Sequence, residues 1–553
     1  MKRLIPLILI FFISLGLRTY RLDVQPPGLT WDEAALGYDA YSILKTGRDQ
    51  HGAFMPIIFQ SFGDYKPGVY IYLTLPFVAI LGLNEWAVRL PSAILGAFAV
   101  IGIYLLTNLL FTKKKLIDNR FFELNSGHLA ALVLTFMPWH LHFSRGGWEV
   151  NTFATMVLFG TYFFITSLKD EKVSPIWSFL LFSLSIFTYQ AGKLLTPLII
   201  LTCILIYLKE SKEKLALVLK KERSLLPVYL ILSVIVLVYF YLSVVGPAGN
   251  RVKRLSIFSY RPSPSQELIQ TDNGNLLSVG LFHSQIDLTL RAIASRYLYH
   301  FSPELLFFEN STPREALPKL GMLYLFDAFW IIFGLIFLAR SSDWRPKVIL
   351  ISMILAAPMG ASLTLSEFSV VRALFLAIPL AILVSLGLRY TFEKHRLIFI
   401  LILALYAHNI ALGLDLYFHH SDVMMAPSYN YGHKQAVSWI VANPAKRVVM
   451  TDVYGQPYIY YLFYTKYDPA KFQKENKFVD GGVDVGFVPS LDNIEFHQFS
   501  IDDIRTQKDV LFIGTRGNIN DNFDYHLPQV ENYDEVNYPD GTTPVFRMVK
   551  TYK

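Results

Sequence analysis

The sequence predicts a polytopic α-helical membrane protein that ends in a small α/β domain. Of its 553 residues, 53% are hydrophobic and 17% are charged, and the mean hydropathy is +0.38. This is more apolar than a soluble globular chain, and apolar runs of the length needed to cross a bilayer recur through the first 416 residues. The net charge of +7 is interpreted as Lys and Arg in cytoplasmic loops, so nucleic acid is not expected as a partner.

The N-terminal segment is the first predicted span. MKRLIPLILIFFISLGLRTY has the basic start and apolar core of a signal peptide, but Arg18, Tyr20 and Arg21 follow where small residues would mark a cleavage site. Lys2 and Arg3 place its start in the cytoplasm, so the chain from residue 18 onward is expected outside.

Ten further spans complete the predicted eleven, judged by the length of the apolar runs. They lie at about residues 92–111, 127–143, 152–167, 176–189, 194–208, 225–245, 321–339, 347–365, 372–388 and 396–416. The run 69–83 is assigned to the outer surface or to a segment that dips back. If it crossed the membrane, the basic loops would all face outward, against the positive-inside bias. These loops are 113–120, 209–214, 220–223, 340–347 and 389–396.

The resulting organisation has a membrane domain (1–416) and an extracytoplasmic α/β domain (417–553). The membrane domain carries two large outer loops, 18–91 and 246–320. In the C-terminal domain, helix-like HKQAVSWIVANP (433–444) precedes strand-like RVVMTDV, DVLFIGT and PVFRMVK. The expected location is the plasma (inner) membrane, with the active site outside. Loop 246–320, which holds Arg251, Arg254, Arg296 and Arg314, is predicted to be a lid over a lipid headgroup.

The stretch PPGLTWDEAALGYDAY (26–41) places the acidic pair Asp32 and Glu33 near the outer edge of the membrane. Thr30 and Glu33 match a capping box, S/T-x-x-E, at the start of an amphipathic helix that Gly47 would end. The cap does not explain Asp32. In the first helical turn its carboxylate would be kept ionised by the helix dipole, as a general base requires.

Cationic residues lie at the outer ends of apolar segments, where the positive-inside bias disfavours them. Each one alone would be read as a side chain reaching for the interface. Together, and close to carboxylates, these cations could bind the phosphate of a lipid and neutralise the charge that develops when the phosphate leaves. They are Lys66, Arg89, Arg145, Lys193 and Arg372, and Asp64 and Glu149 complete the candidate binding residues. A salt bridge between Glu149 and Arg145 is the alternative for that acid.

The order of these motifs resembles a family of membrane glycosyltransferases. An apolar first span, PPGLTWDEA, GDYKPG, NEWAVRLPSA and HFSRGGWE follow one another as in bacterial members of the dolichyl-phosphate-mannose protein mannosyltransferase superfamily. Their relatives, the lipid A aminoarabinose transferases, show the same order (glycosyltransferase family 39/83-like). The resemblance covers residues up to about 200 well. It implies the GT-C fold with juxtamembrane helices in the first outer loop. Asp32 and Glu33 match the family's acidic pair and are both candidate catalytic residues, and Lys66 and Pro67 match its Lys-Pro element.

The resemblance implies transfer of a hexose or pentose from a polyprenyl-phosphate carrier to a hydroxyl of a lipid, glycan or protein acceptor outside the membrane, with inversion. Asp32 would take the acceptor's proton. Lys66, with one or more of the arginines, would hold the departing phosphate. The sequence contains neither a nucleotide-binding G-x-G-x-x-G after a strand nor a cytoplasmic Asp-x-Asp, which agrees with a donor that is not a nucleotide sugar.

No metal site is predicted, although a divalent cation at Asp32, Glu33 and Asp64 is left open. Some aminoarabinose-transferase-like relatives carry an acidic residue directly before Lys-Pro and pair it with a His to bind a metal ion. Tyr65 stands there in this chain. His140 and His142 lie two residues apart, which on a helix directs them to different faces.

Two other function classes remain open. A flippase or transporter of a lipid-linked substrate would carry ionisable residues near the middle of broken spans, and these spans have few. A non-catalytic polytopic envelope protein would need no cluster of carboxylates and cations on one face.

Overall fold

The computed structural model forms two compact units. The structure describes residues 2–111, 115–119, 121–221, 223–245, 256–259, 267, 270–271, 276–308, 314–317, 319–475, 478–481 and 486–553. The helical unit contains residues 1–18, 94–144 and 149–413, and the α/β unit contains residues 19–93, 145–148 and 414–553. The first outer loop therefore groups with the C-terminal segment, whereas the sequence divides the chain at residue 416. The predicted membrane and extracytoplasmic domains stay a prediction.

Helices make up most of the described chain. In order they are α1 (Leu4–Thr19), α2 (Trp31–Thr46), α3 (Val69–Leu81), α4 (Glu85–Leu110), α5 (Ser126–Phe136), α6 (Pro138–Phe143), α7 (Glu149–Lys169), α8 (Ile176–Ile186), α9 (Gly192–Ile206), α10 (Leu208–Lys221), α11 (Leu226–Val245), α12 (Leu276–Phe282), α13 (Gln285–Tyr299), α14 (Pro303–Phe307), α15 (Asp327–Arg340), α16 (Trp344–Ala356), α17 (Met359–Ser362), α18 (Ala377–Lys394), α19 (Arg396–Asp415), α20 (Ser421–Met425), α21 (His433–Ala442), α22 (Pro457–Thr465), α23 (Pro469–Glu475) and α24 (Ile501–Thr506).

Several helices are long and apolar enough to cross a membrane, as the sequence predicts. Within the described residues there are 5 such segments, or 6 if the bent pair α9 and α10 is one span. They are Glu85–Leu110, Glu149–Lys169, Arg223–Ser243, Leu374–Lys394 and Arg396–Tyr429. Every predicted span contains a helix, but many of these helices are shorter than a bilayer crossing needs. Eleven crossings therefore stay a prediction.

The predicted basic loop 209–214 is helical, because it forms part of α10. This helix turns by 100° from α9 after Ile206. In the second large outer loop, the described residues form α12, α13 and α14. Arg251 and Arg254 of the predicted lid lie outside the described residues.

Arg18, at the end of α1, stabilises a break between α5 and α6. Pro138 has no N–H for the carbonyl of Leu134, and the Trp139 N–H donates to Met322 instead of to Thr135. The buried Arg18 guanidinium donates to both free carbonyls, at 3.2 and 3.3 Å. It also lies 2.9 Å from Nδ1 of His140, while Nε2 of His142 lies 3.0 Å from the carbonyl of Arg314. The two histidines thus have different partners.

The strands lie mainly in the C-terminal part of the chain. They are β1 (Ile58–Ser61), β2 (Asp64–Pro67), β3 (Ile117–Asp118), β4 (Glu123–Leu124), β5 (Arg447–Met450), β6 (Val479–Asp480), β7 (Gly486–Phe487), β8 (Ser490–Leu491), β9 (Ile494–Phe496), β10 (Val510–Gly514), β11 (Val530–Asn537) and β12 (Pro544–Thr551). A six-stranded mixed sheet has the order β11-β12-β10-β5-β9-β8. Strands β9, β5 and β10 are parallel neighbours, and the other pairs are antiparallel. The predicted C-terminal α/β character is confirmed.

The larger core of the α/β unit joins the first outer loop to the C-terminal sheet. Buried residues of α2 and α3 pack with those of α21, α22 and the sheet strands. The Tyr38 hydroxyl donates to the carbonyl of Tyr467 at 3.1 Å, and the Gln473 amide donates to the carbonyl of Asp49 at 2.8 Å. A Cβ on Gly37 would lie 2.7 Å from the Phe463 ring, so α2 and α22 approach closely there.

Candidate active site

The start of α2 fixes the positions of the acidic pair. Thr30 is the N-cap, and its hydroxyl accepts the Glu33 N–H at 3.3 Å. The Glu33 carboxylate in turn accepts the Thr30 N–H at 3.0 Å. The predicted capping box is therefore confirmed, as is the end of the helix at Gly47, whose φ is 70°. Asp32 takes no part in the cap.

Glu33 forms a buried ion pair with Arg89. Nε of Arg89 lies 2.9 Å from Oε1 of Glu33, and the two side chains are 0% and 3% exposed. The Gly147 N–H also donates to Oε1 at 2.9 Å. Burial alone would raise the pKa of Glu33, but the Arg89 charge and the hydrogen bonds from Arg89, Gly147 and Thr30 hold this pKa below its ordinary value.

Arg89 has its five N–H groups engaged within the α/β unit. Nε and one Nη2 hydrogen meet the Glu33 carboxylate. The remaining donors meet the carbonyls of Leu22, Pro26 and Gly28. In this arrangement the guanidinium links the turn before α2 to α4, and its donors are not directed at a ligand.

A β-hairpin brings Lys66 to Asp32. Strands β1 and β2 pair Phe59 with Lys66 and Ser61 with Asp64. The two-residue turn between them, Phe62-Gly63, has positive φ at both positions (53° and 84°), as in a type I′ hairpin. The Lys66 ammonium contacts the Asp32 carboxylate directly, and the side chains are 15% and 32% exposed. This ion pair is therefore open to solvent, unlike that of Glu33 and Arg89.

Arg145 is buried beside the segment that follows α19. Its Nη2 donates to the carbonyls of Tyr20 and Gln25, at 2.7 and 3.2 Å. Its Nε donates to the Tyr417 hydroxyl at 3.2 Å, and the guanidinium lies over the Phe418 ring at 4.9 Å. Burial lowers the pKa of Arg145, and Tyr417 opposes this effect. These contacts connect Arg145 to the loop before α2.

Asp39 is a buried acid that the sequence analysis did not identify. It lies seven residues after Asp32, which places both on one face of α2. Its carboxylate accepts the Gln50 N–H and amide at 3.0 and 3.1 Å. Burial and the Asp49 charge raise the pKa of Asp39, while Gln50 and the Lys66 charge lower it. The Lys66 charge thus acts on both Asp32 and Asp39. The seven-residue spacing of the two acids is the sequence signal that could have identified Asp39.

Three predicted residues belong to the helical unit. Glu149 begins α7 and Lys193 is the second residue of α9. Nζ of Lys193 donates to Gln190 and lies 5.0 Å from the centre of the Tyr239 ring. Nη1 of Arg372 lies 3.5 Å from the Thr364 hydroxyl. The other predicted site residues, including the buried Asp64, lie in the α/β unit.

The described residues contain no group of three or more His, Cys, Asp or Glu arranged to hold a metal ion. In particular, the Glu33 carboxylate is occupied by Arg89, Thr30 and Gly147, and Asp32 contacts Lys66. The occupied Glu33 carboxylate does not fit the divalent cation left open by the sequence.

The fold is similar to that of solved membrane transferases. ArnT from Cupriavidus metallidurans bound to undecaprenyl phosphate superposes with a TM-score of 0.54 at 13% identity, over 99% of this chain and 96% of that chain. The apo ArnT structure gives 0.52 at 13% identity, over 98% and 96%. The oligosaccharyltransferase of Archaeoglobus fulgidus gives 0.49 at 15% identity, and this chain spans 61% of its length.

No protein-family model matches the sequence, and no curated protein matches it in sequence. At 13% identity the likeness to ArnT establishes the fold alone. The GT-C fold implied by the sequence resemblance is confirmed.

Proposed function

We propose that this chain, which has the GT-C fold, transfers a sugar from a polyprenyl-phosphate carrier to an acceptor hydroxyl on the outer face of the plasma membrane. The observation that carries the proposal is the contact between the Asp32 carboxylate and the Lys66 ammonium. Both groups are partly exposed, and each is of the type that one half of the reaction requires. A carboxylate accepts a proton from the acceptor, and an ammonium stabilises a phosphate leaving group.

The surrounding structure supports this assignment, because it holds the backbone of both residues in place. The capping box and the buried Glu33–Arg89 pair fix the first turn of α2. The hairpin fixes the backbone of Lys66, and its cross-strand partner Phe59 is fully buried. The charged groups of Asp32 and Lys66 are thus carried by rigid backbone segments, as preorganised catalytic groups need to be.

In the proposed reaction, the carrier phosphate takes Lys66 from Asp32. The acceptor oxygen then forms a bond to the anomeric carbon while the bond from that carbon to the phosphate oxygen breaks. The acceptor proton passes to the freed Asp32 carboxylate, and the bonding electron pair leaves with the carrier phosphate, whose charge Lys66 balances. A single displacement of this kind inverts the anomeric configuration.

The remaining site residues divide by their contacts. We assign Glu33, Arg89 and Arg145 to positioning, since their polar atoms are bound to protein groups in a buried setting. Asp64, Glu149, Lys193 and Arg372 stay proposed contacts of the sugar or of the carrier phosphate. The contact of Undecaprenyl phosphate with ArnT makes a polyprenyl phosphate the first carrier to test.

The test is a transfer assay with the purified chain in lipid nanodiscs. Radiolabelled polyprenyl-phosphate sugars, hexosyl and pentosyl, are supplied with lipid, glycan and peptide acceptors, and label released from the carrier is counted. Wild type should transfer label from at least one donor, and Asp32→Asn should not. A protein that moves the labelled donor between leaflets without cleaving it would be a flippase, and absence of both activities across the panel would favour a non-catalytic role.

A further inference from the structure

Three large apolar side chains are exposed together in the loop that joins α2 to β1. Phe54 is 70% exposed, Met55 45% and Ile57 53%. We call these three residues the apolar tip. The next aromatic residues along the chain, Phe59 and Phe62, are buried in the core of the same unit. The apolar tip is therefore a group of exposed apolar side chains close together in one short loop, and contiguous exposed apolar surface marks an interaction site.

Hydrogen bonds hold the apolar tip in its exposed position. The Met55 N–H donates to the carbonyl of Gly47 at 3.1 Å, which closes the loop against the end of α2. The Asp49 carboxylate accepts the N–H groups of His51 and Ala53 at 2.9 and 2.8 Å. The Tyr72 hydroxyl donates to the carbonyl of Pro56 at 2.9 Å. An ordered loop that presents apolar side chains to solvent is built to contact something apolar.

The charges around the apolar tip select the kind of partner. Lys45 and Arg48, at the end of α2, are exposed. The neighbouring carboxylates, Asp39 and Asp49, are buried and bound by Gln50, His51 and Ala53. The exposed surface is thus apolar in its centre and cationic at its rim. Phospholipids match this pattern, because their acyl chains take the apolar groups and their phosphates take the cations.

We propose that the apolar tip inserts into the outer leaflet of the membrane, with Lys45 and Arg48 bound to lipid phosphates. This inference rests on the proposed function, because that function places the α/β unit outside the cytoplasm. It adds an explanation of how the candidate active site reaches a donor in the membrane. The carbonyl of Ile57 accepts the N–H of Gly68 at 3.0 Å, two residues from Lys66. Insertion of the tip therefore holds the Lys66 strand near the headgroup layer, where the phosphate of a lipid-linked sugar lies.

The experiment measures the surroundings of the tip directly. A Cys203→Ala chain carries one new cysteine, Phe54→Cys, labelled with an environment-sensitive fluorophore and placed in nanodiscs of anionic and zwitterionic phospholipid. The matched control is Val441→Cys in α21, which is 64% exposed in the same unit. Doxyl-labelled phospholipids probe contact with the membrane, and iodide probes contact with water. Neither donor nor acceptor is present, so an inactive enzyme does not affect the outcome.

The Phe54 fluorophore should lose intensity with doxyl lipids and be protected from iodide, and the Val441 fluorophore should behave in the opposite way. Equal quenching of both positions by iodide would overturn the proposal. Protection of the Phe54 fluorophore from both quenchers would also overturn it, since protein, such as a second copy of the chain, would then cover the tip. Lys45→Gln with Arg48→Gln should reduce lipid quenching in anionic nanodiscs, and unchanged quenching would remove the cations from the contact.

Discussion

Nε of Arg89 lies 2.9 Å from the carboxylate of Glu33, with both side chains buried, and the chain neighbour of Glu33 has the opposite surroundings. The Asp32 carboxylate meets Lys66 at a position open to solvent. Two adjacent acids on one helical turn thus have different surroundings, and the proposed function assigns them separate tasks.

Asp32→Asn should abolish transfer and leave the fold intact. The amide keeps the shape of the side chain but cannot accept the acceptor proton, so we expect turnover to fall by roughly 10²–10⁴-fold, the usual contribution of a general base. Loss of the partly exposed contact with Lys66 should cost at most about 1 kcal/mol of stability. Steady-state rates and thermal unfolding in the same nanodiscs check both parts. An Asp32→Asn enzyme with wild-type turnover would contradict the assignment of the base.

Lys66→Met should weaken use of the donor more than use of the acceptor. It removes the charge that faces the carrier phosphate, so kcat/KM should fall when the donor is varied, with a smaller change when the acceptor is varied. Lys66→Arg retains the charge and is the control, and it should keep more activity. Donor kinetics identical to wild type in Lys66→Met would remove this residue from the site.

Glu33→Gln should destabilise the protein strongly. It leaves the buried Arg89 charge without its partner, a change that costs roughly 3–5 kcal/mol. From the sequence alone, Glu33 contributes only to the helix cap, and loss of the cap would lower the free energy of unfolding by about 1 kcal/mol. Thr30→Ala removes the cap and keeps the ion pair, and is therefore the control. Comparable unfolding temperatures for the two variants would show that the ion pair contributes little.

The contribution of Glu33 should depend on pH. Its pKa is lower in the folded protein than its ordinary value of 4.5, so the carboxylate stabilises the fold above that value. This stabilisation is lost as the pH falls through the lower folded pKa. The difference in unfolding temperature between wild type and Glu33→Gln should therefore be largest at neutral pH and should shrink as the pH falls below 4.5. A constant difference would contradict this linkage.

Arg145→Met should lower stability without a selective effect on the donor. The sequence places Arg145 at the carrier phosphate, but in the structure it binds the carbonyls of Tyr20 and Gln25 in a buried site. Each buried carbonyl left without a donor costs about 1–3 kcal/mol. Differential scanning measurements should show a lower unfolding temperature, while the KM for the donor stays near that of wild type. A selective rise of this KM would return Arg145 to the phosphate.

The orientation of the chain is tested with two cysteine variants in the Cys203→Ala background. Lys172 is exposed in the turn between α7 and α8, which the basic loops place in the cytoplasm, and Lys553 is exposed at the C-terminal end, which they place outside. An impermeant maleimide applied to intact spheroplasts should label Lys553→Cys, whereas Lys172→Cys should react only after lysis. The reverse pattern would overturn the topology.

Local patterns predicted the elements around the site well. The capping box of Thr30 and Glu33, the end of α2 at Gly47 and the helix at His433 depend on residues close in sequence, and such signals are visible without a structure. The strands β5, β10 and β12 were also visible as short apolar runs.

Long-range pairing was not predictable in the same way. Glu33 meets Arg89 and Gly147, which lie 56 and 114 residues away, and no local pattern specifies these partners. The basic side chains near the spans all looked alike in the sequence. Their tasks differ only through what surrounds them, since Arg89, Arg145 and Arg18 are buried among carbonyls while Lys66 is partly open.

The shared core of the α/β unit has a consequence for the order of events during biosynthesis. The hydrogen bond from Tyr38 to Tyr467 joins residues 429 positions apart. At roughly 5–20 residues per second, a ribosome makes the second partner about 20–90 s after the first. Through this interval α2 exists without the helices and sheet that cover its apolar face. The nascent chain therefore passes through a long stage in which this segment depends on chaperones or lipid for protection, and the pair of Asp32 and Lys66 becomes rigidly supported only when translation is nearly finished.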